Sequence, residues 1–149
     1  MQNQKIVLAA LLLILCVPLS AASAEYVGSA KCGECHEEEH GRFMKYSPKA
    51  HSWESIKVMA PKLTTEEQQE CYECHTTGYK KGGFVSYEET PELADVGCET
   101  CHGPGAAHAE DGDPELISRK PDPEDCVVCH SAARVNDFGF KPLVNSGAH

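Results

Sequence analysis

Four times along this chain a pair of cysteines is followed at once by a histidine: Cys32-Gly33-Glu34-Cys35-His36, Cys71-Tyr72-Glu73-Cys74-His75, Cys98-Glu99-Thr100-Cys101-His102 and Cys126-Val127-Val128-Cys129-His130. With 9 Cys and 8 His in 149 residues, chance supplies about 0.03 such matches, so the pattern reflects chemistry.

Two thiols three positions apart on a tight turn reach the two vinyl groups of one haem and form thioethers, and the adjacent His then points at the iron from the same side. The reading is four covalently bound haem c groups. Their attachment points are Cys32 and Cys35, Cys71 and Cys74, Cys98 and Cys101, and Cys126 and Cys129, with His36, His75, His102 and His130 as proximal iron ligands. Zinc would draw four ligands from two such clusters, and disulfides would pair the thiols, but neither explains why every pair is followed by His.

Residues 1–24 open with Lys5, continue as an apolar run over residues 6–17, and end on Pro18 and the small residues Ala22-Ser23-Ala24. That is the pattern of a secretory signal peptide, which places the mature start at Glu25 and the tetrahaem domain over residues 25–149. The run is short of the roughly 18 to 20 residues that span a bilayer, so no stable membrane insertion is expected. Cys16 lies in this segment behind Leu15, not behind the small residue a lipid anchor wants. An exported chain agrees with covalent haem attachment, which in bacteria takes place outside the cytoplasmic membrane, and points to a periplasmic or extracellular protein.

The chain carries 23 acidic against 13 basic side chains, a formal charge of -10, and loss of Lys5 with the leader makes it -11. That charge repels a phosphate backbone and excludes nucleic acid as a partner, while favouring redox proteins with basic docking surfaces. Four haems shared among the remaining 125 residues leave about 31 residues each, too few for separate protein shells. The expected fold is therefore mainly α and loop-rich, with a core formed by four closely packed haems. The Cys-to-Cys intervals of 39, 27 and 28 residues give no strict repeat.

Local signals place some elements. Ser47-Pro48 reads as N-cap and first-turn proline of a helix through about Met59, Thr64 with Glu67 makes a capping box leading into Cys71, and Asp122-Pro123 starts a helix before Cys126. Phe84 to Tyr87, after Gly82-Gly83, reads as a short strand or an ordered loop, and Gly103-Pro104-Gly105 as a turn.

Four histidines remain for the distal iron positions: His40, His51, His108 and His149. His51 falls on the helix after Pro48, its alternative being a surface residue. His108 follows His102 too closely to pass round one macrocycle to the same iron, so it serves a different haem or is an ordinary loop residue. His40, one turn after His36 among Glu37, Glu38 and Glu39, also suits a solvated helix face. His149 is the last residue, where fraying is the default. Met44 and Met59 are the other conventional ligands, and packing is their ordinary role.

Ser29-Ala30-Lys31 before Cys32, Ser47-Pro48 before His51, His75-Thr76-Thr77-Gly78-Tyr79, and Val96-Gly97 before Cys98 with Gly103-Pro104-Gly105 and His108 beyond it together resemble the cytochrome c-554 family of tetrahaem cytochromes. The resemblance runs over residues 29–130 and is most specific over residues 96–108. It implies an electron-transfer protein with haems in close stacked pairs. It also implies that His51 is distal ligand to the third haem and His108 to the first. The family member from ammonia oxidisers leaves the second haem without a distal protein ligand, so His40 decides whether that haem is open here. A C-terminal histidine completes the fourth haem in that family, which favours His149.

The function so read is electron transfer between redox partners, which requires no substrate pocket. Two alternatives remain: a small-ligand redox enzyme at a five-coordinate haem, and a subunit of an extracellular cytochrome filament in which self-assembly lets a residue such as His149 complete a neighbour's haem.

Overall fold

Two of the α-helix starts in this chain are set by side-chain caps. In the computed structural model, which describes residues 25–131, Thr64 accepts a hydrogen bond from the Glu67 amide while the Glu67 carboxylate accepts one from the Thr64 amide. This capping box starts α4 (Thr65–His75), whose last turn is the second cysteine cluster. Asp122 caps α7 (Pro123–Val127) by accepting from the Glu124 amide, with Pro123 at the first helical position. Residues 1–24, read from the sequence as a signal peptide and including Cys16, and His149 lie outside the described residues.

The other α-helices are α1 (Ser29–Gly33), α2 (Glu37–Tyr46), α3 (Trp53–Met59), α5 (Cys98–His102) and α6 (Ala106–Asp111). Single turns of 3-10 helix occupy Pro48–His51, Ala60–Lys62, Pro91–Leu93 and Pro114–Leu116. There is no strand among the described residues, so the fold is helical and loop-rich.

The stretch after Ser47 is not the continuous helix that its Pro48 signal implies. A 3-10 turn ends at His51 and α3 begins at Trp53, with Ser52 between. Long-range bonds make the break: the Ser52 hydroxyl donates to the His75 carbonyl at 2.9 Å and accepts from the Val96 amide at 2.9 Å, and the Asp95 carboxylate takes the Trp53 amide at 2.8 Å. Phe84 to Tyr87 forms the ordered loop and not the strand. Its backbone is held by Phe84 donating to the Thr77 carbonyl and Val85 to the Thr90 hydroxyl.

The apolar core is small. Ala50, Ile56, Phe84, Leu93, Ala94 and Val96 are the buried hydrophobic residues among those described. Around Phe84, Trp53, Tyr72 and Tyr79 pack at ring separations of 5.2 to 5.4 Å. Trp53 also stacks on Tyr87 at 5.2 Å. Gly78 is obligatory in this cluster: its φ is 70°, and a Cβ there would stand 2.6 Å from the Tyr26 ring. Val58, Val85, Val127 and Val128 are exposed, the last two inside the fourth cysteine cluster.

Candidate haem sites

Each Cys-x-x-Cys-His cluster is one turn of helix, so both thiols and the imidazole leave neighbouring points of the backbone. In the first cluster the Cys35 and His36 amides both donate to the Cys32 carbonyl, at 3.2 and 2.9 Å. The second ends α4, the third is the whole of α5, and in the fourth the His130 amide donates to the Cys126 carbonyl at 2.9 Å. Among the described residues the eight cluster cysteines form no disulfide with one another.

The clusters are drawn together by hydrogen bonds between them. Ser29, at the start of α1, accepts from the Cys98 amide at 3.1 Å and so joins the first cluster to the third. Thr77, directly beyond the second cluster, donates to the Asp95 carbonyl at 2.7 Å and accepts from the Gly97 amide at 2.8 Å, fixing the approach to the third. Cys129 of the fourth lies against the Glu73 carbonyl of the second at 3.8 Å. The thiols themselves pair across clusters. A hydrogen bond with Cys98, then burial, pushes Cys32 up, and the Cys32 thiol in turn brings Cys98 down to about 6. Burial, then Cys74, pushes Cys129 up to about 12. First stands by third, and second by fourth.

The imidazoles are oriented through Nδ1. His75 donates from Nδ1 to the Ser52 carbonyl at 3.2 Å, His102 to Ser118 at 2.6 Å, and His108 to Asp113 at 2.9 Å. A histidine whose Nδ1 proton is fixed this way has its Nε2 lone pair free for a metal. Burial, then Lys49, holds His130 below the usual imidazole range.

His36 and His108 come from distant parts of the chain and face each other with centroids 6.1 Å apart and planes 23° from parallel. A metal–imidazole bond is about 2 Å and the ring centre lies roughly 1 Å farther back, so two imidazoles on opposite axial positions of one metal have centroids about 6 Å apart. The ring-centre spacing of the pair is of that size. With two cysteines and an imidazole brought together at each cluster, no disulfide among them, and a His36–His108 spacing of this size, the donor set fits haem c.

The remaining candidates are placed differently. His40, in α2, is half-buried and not on a solvated face: its ring lies over Gly33, where a Cβ would stand 2.8 Å from Nδ1, and its charge is felt at Cys98. It therefore sits among the first and third clusters. His51 is exposed, and its Nε2 donates to the Met44 carbonyl at 2.9 Å, leaving Nδ1 as the free nitrogen. Lys49, in the same 3-10 turn, acts electrostatically on Cys101 and His130 and so lies near the third and fourth clusters. Met59 is exposed and Met44 half-buried.

One residue with a large part in this geometry is silent in the sequence. Glu99, a variable position of the third motif, is 2% exposed, and both its oxygens accept backbone amides. Within a Cys-x-x-Cys-His motif the two central positions carry no chemical signal, and its amide partners at Val27, Gly28 and Gly105 are brought to it only by folding.

Residues 31–103 match the family described as cytochrome c554 and c-prime. Cytochrome c-554 of Nitrosomonas europaea is 33% identical over 97 residues, which are 57% of this chain and 41% of that protein, so the match spans less than half the relative's length. The solved structure of reduced cytochrome c554 from Nitrosomonas europaea superposes with a TM-score of 0.60 over 86% of each chain at 24% identity, and carries the same fold. No helix among the described residues is long and apolar enough to cross a membrane. With four Cys-x-x-Cys-His clusters, this fold and the match over residues 31–103, the chain is similar to the cytochrome c-554 family.

Proposed function

We propose that this protein is an exported tetrahaem c-type cytochrome that carries electrons between redox partners in the periplasm or beyond the cell. The observation that carries the reading is the His36–His108 pair, whose 6.1 Å spacing supports a first haem closed on both faces by imidazole. Haem iron supplies one-electron transfer between its ferric and ferrous states, and two histidine ligands favour that exchange over ligand binding. The contacts of Cys32 with Cys98 and of Cys74 with Cys129 support haems in two close pairs, first with third and second with fourth.

The polypeptide's part is to fix ligands and to exclude rearrangement. Carbonyls of Ser52, Ser118 and Asp113 hold His75, His102 and His108 in one tautomer, which raises ligand basicity and limits motion between redox states. In this reading His51 is distal to the third haem, supported by the placement of its 3-10 turn near Cys101, and His149 is distal to the fourth. The acidic surface recruits partners with basic patches.

The seat of His40 over Gly33 supports a second reading for one site, in which the second haem keeps an open face opposite His75 and takes small ligands. Low-temperature electron paramagnetic resonance of the purified holoprotein, with a pyridine haemochrome count, tests both. Four haems per chain with at least three low-spin ferric signals are expected. A high-spin signal assigns the open site, and fewer than four haems overturns the reading.

A further inference from the structure

Glu99 is the charged side chain that is buried among the described residues, and it is used entirely by backbone amides. Oε1 accepts from Val27 at 3.0 Å and Gly105 at 2.7 Å, and Oε2 from Val27 at 3.2 Å and Gly28 at 2.8 Å. Gly28 is the N-cap of α1, which carries Cys32, and Gly105 is the N-cap of α6, which carries His108. Glu99 itself belongs to α5, the third cluster. One carboxylate therefore ties together the start of the helix that carries Cys32, four residues before His36, and the start of the helix that carries His108, from within the third cluster. A carboxylate is acceptor-only, which matches a site built of N–H donors, and hydrogen bonds to an ionised group are about twice as strong as neutral ones.

We infer that Glu99 is the positioning residue of the first haem's axial pair, and that its enclosed negative charge holds the first and third haems at lower potential than they would otherwise have. The inference rests on the His36–His108 ligation proposed above. A ferric haem carries one more positive charge than a ferrous one, so a carboxylate fixed nearby in a poorly solvated site favours the oxidised state. That the charge acts toward this part of the chain is seen at Tyr26, whose hydroxyl is pushed up by burial and additionally by Glu99.

Three variants of the holoprotein test this by paramagnetic resonance and by spectroelectrochemical titration. Glu99→Gln keeps the shape and removes the charge: two of the four midpoint potentials rise and the other two stay. Glu99→Asp keeps the charge and shortens the reach: the first haem's low-spin signal moves while the potentials change less than in Glu99→Gln. Gly105→Ala leaves Glu99 in place at backbone angles that any residue adopts (φ −104°, ψ −2°) and sets a methyl 3.1 Å from Oε1, which moves the same signal. If the Glu99 variants fail to mature, Gly105→Ala decides alone. Wild-type signals and potentials in all variants that mature, or an equal shift of all four potentials, overturn the inference. The ligation reading is tested separately, because it fails if His108→Ala leaves every low-spin signal intact.

Discussion

The imidazoles of His36 and His108 stand 6.1 Å apart with planes 23° from parallel, one at the end of the first cysteine cluster and the other on a helix beyond the third. That spacing matches the separation of two imidazoles bound to opposite sides of one metal ion. The relationship makes α6 a part of the first haem site, although it follows the third in the chain.

Replacement of His108 by Ala should therefore convert one low-spin ferric haem to high-spin, with four haems still covalently bound. Paramagnetic resonance at low temperature reads the conversion, and a haemochrome assay confirms that the haem count stays at four.

The thioether assignment makes a plain chemical prediction. Unfolded holoprotein should react with no thiol reagent at residues 25–149 and should retain its haem absorbance through denaturing electrophoresis. Replacing Cys126 and Cys129 together by Ser should remove one haem of the four, read as a drop of one quarter in haem per chain.

Ser52→Ala removes the hydroxyl that bonds both the His75 carbonyl and the Val96 amide. Leaving those buried groups unpaired should cost about 1–3 kcal/mol in chemical denaturation. The same change loosens the carbonyl that orients His75, so the spectroscopic signal of the second haem should shift while that of the first does not.

Phe84, 2% exposed, is the centre of the aromatic cluster, and Phe84→Ala should destabilise the holoprotein by about 3–5 kcal/mol. Val85→Ala, next in the chain but 54% exposed, should change stability by less than about 0.5 kcal/mol. Equal effects would place the packing elsewhere.

A surface of charge -10 or below should steer cationic reagents. Reduction by a small cationic metal complex should slow as ionic strength rises, because the screening length falls to about 8 Å at 0.15 M. An anionic reductant should show the opposite trend, and stopped-flow rates across a salt series distinguish the two.

What could be read before folding is what lies within a few residues of itself. The four clusters were legible because haem attachment needs two thiols and an imidazole close together in the chain, and the likeness to cytochrome c-554 was legible from the residues flanking them. The Thr64–Glu67 capping box and the Asp122 cap were equally local. The break at Ser52 was not, because its hydroxyl is claimed by His75 and Val96 and the start of α3 is fixed by Asp95, all far along the chain. His40 stood between an iron ligand and a solvated position because its neighbours are glutamates, and only the fold shows that the bare backbone of Gly33 admits its ring. Glu99 lay inside a recognised motif and still gave no sign, since its partners are backbone amides that every sequence contains.

The six buried apolar residues among those described make a small core for the 107 residues they serve. On the tetrahaem reading proposed above, porphyrin would supply most of the apolar interior, and a chain lacking it would have little to close around and would be the easier substrate for a protease.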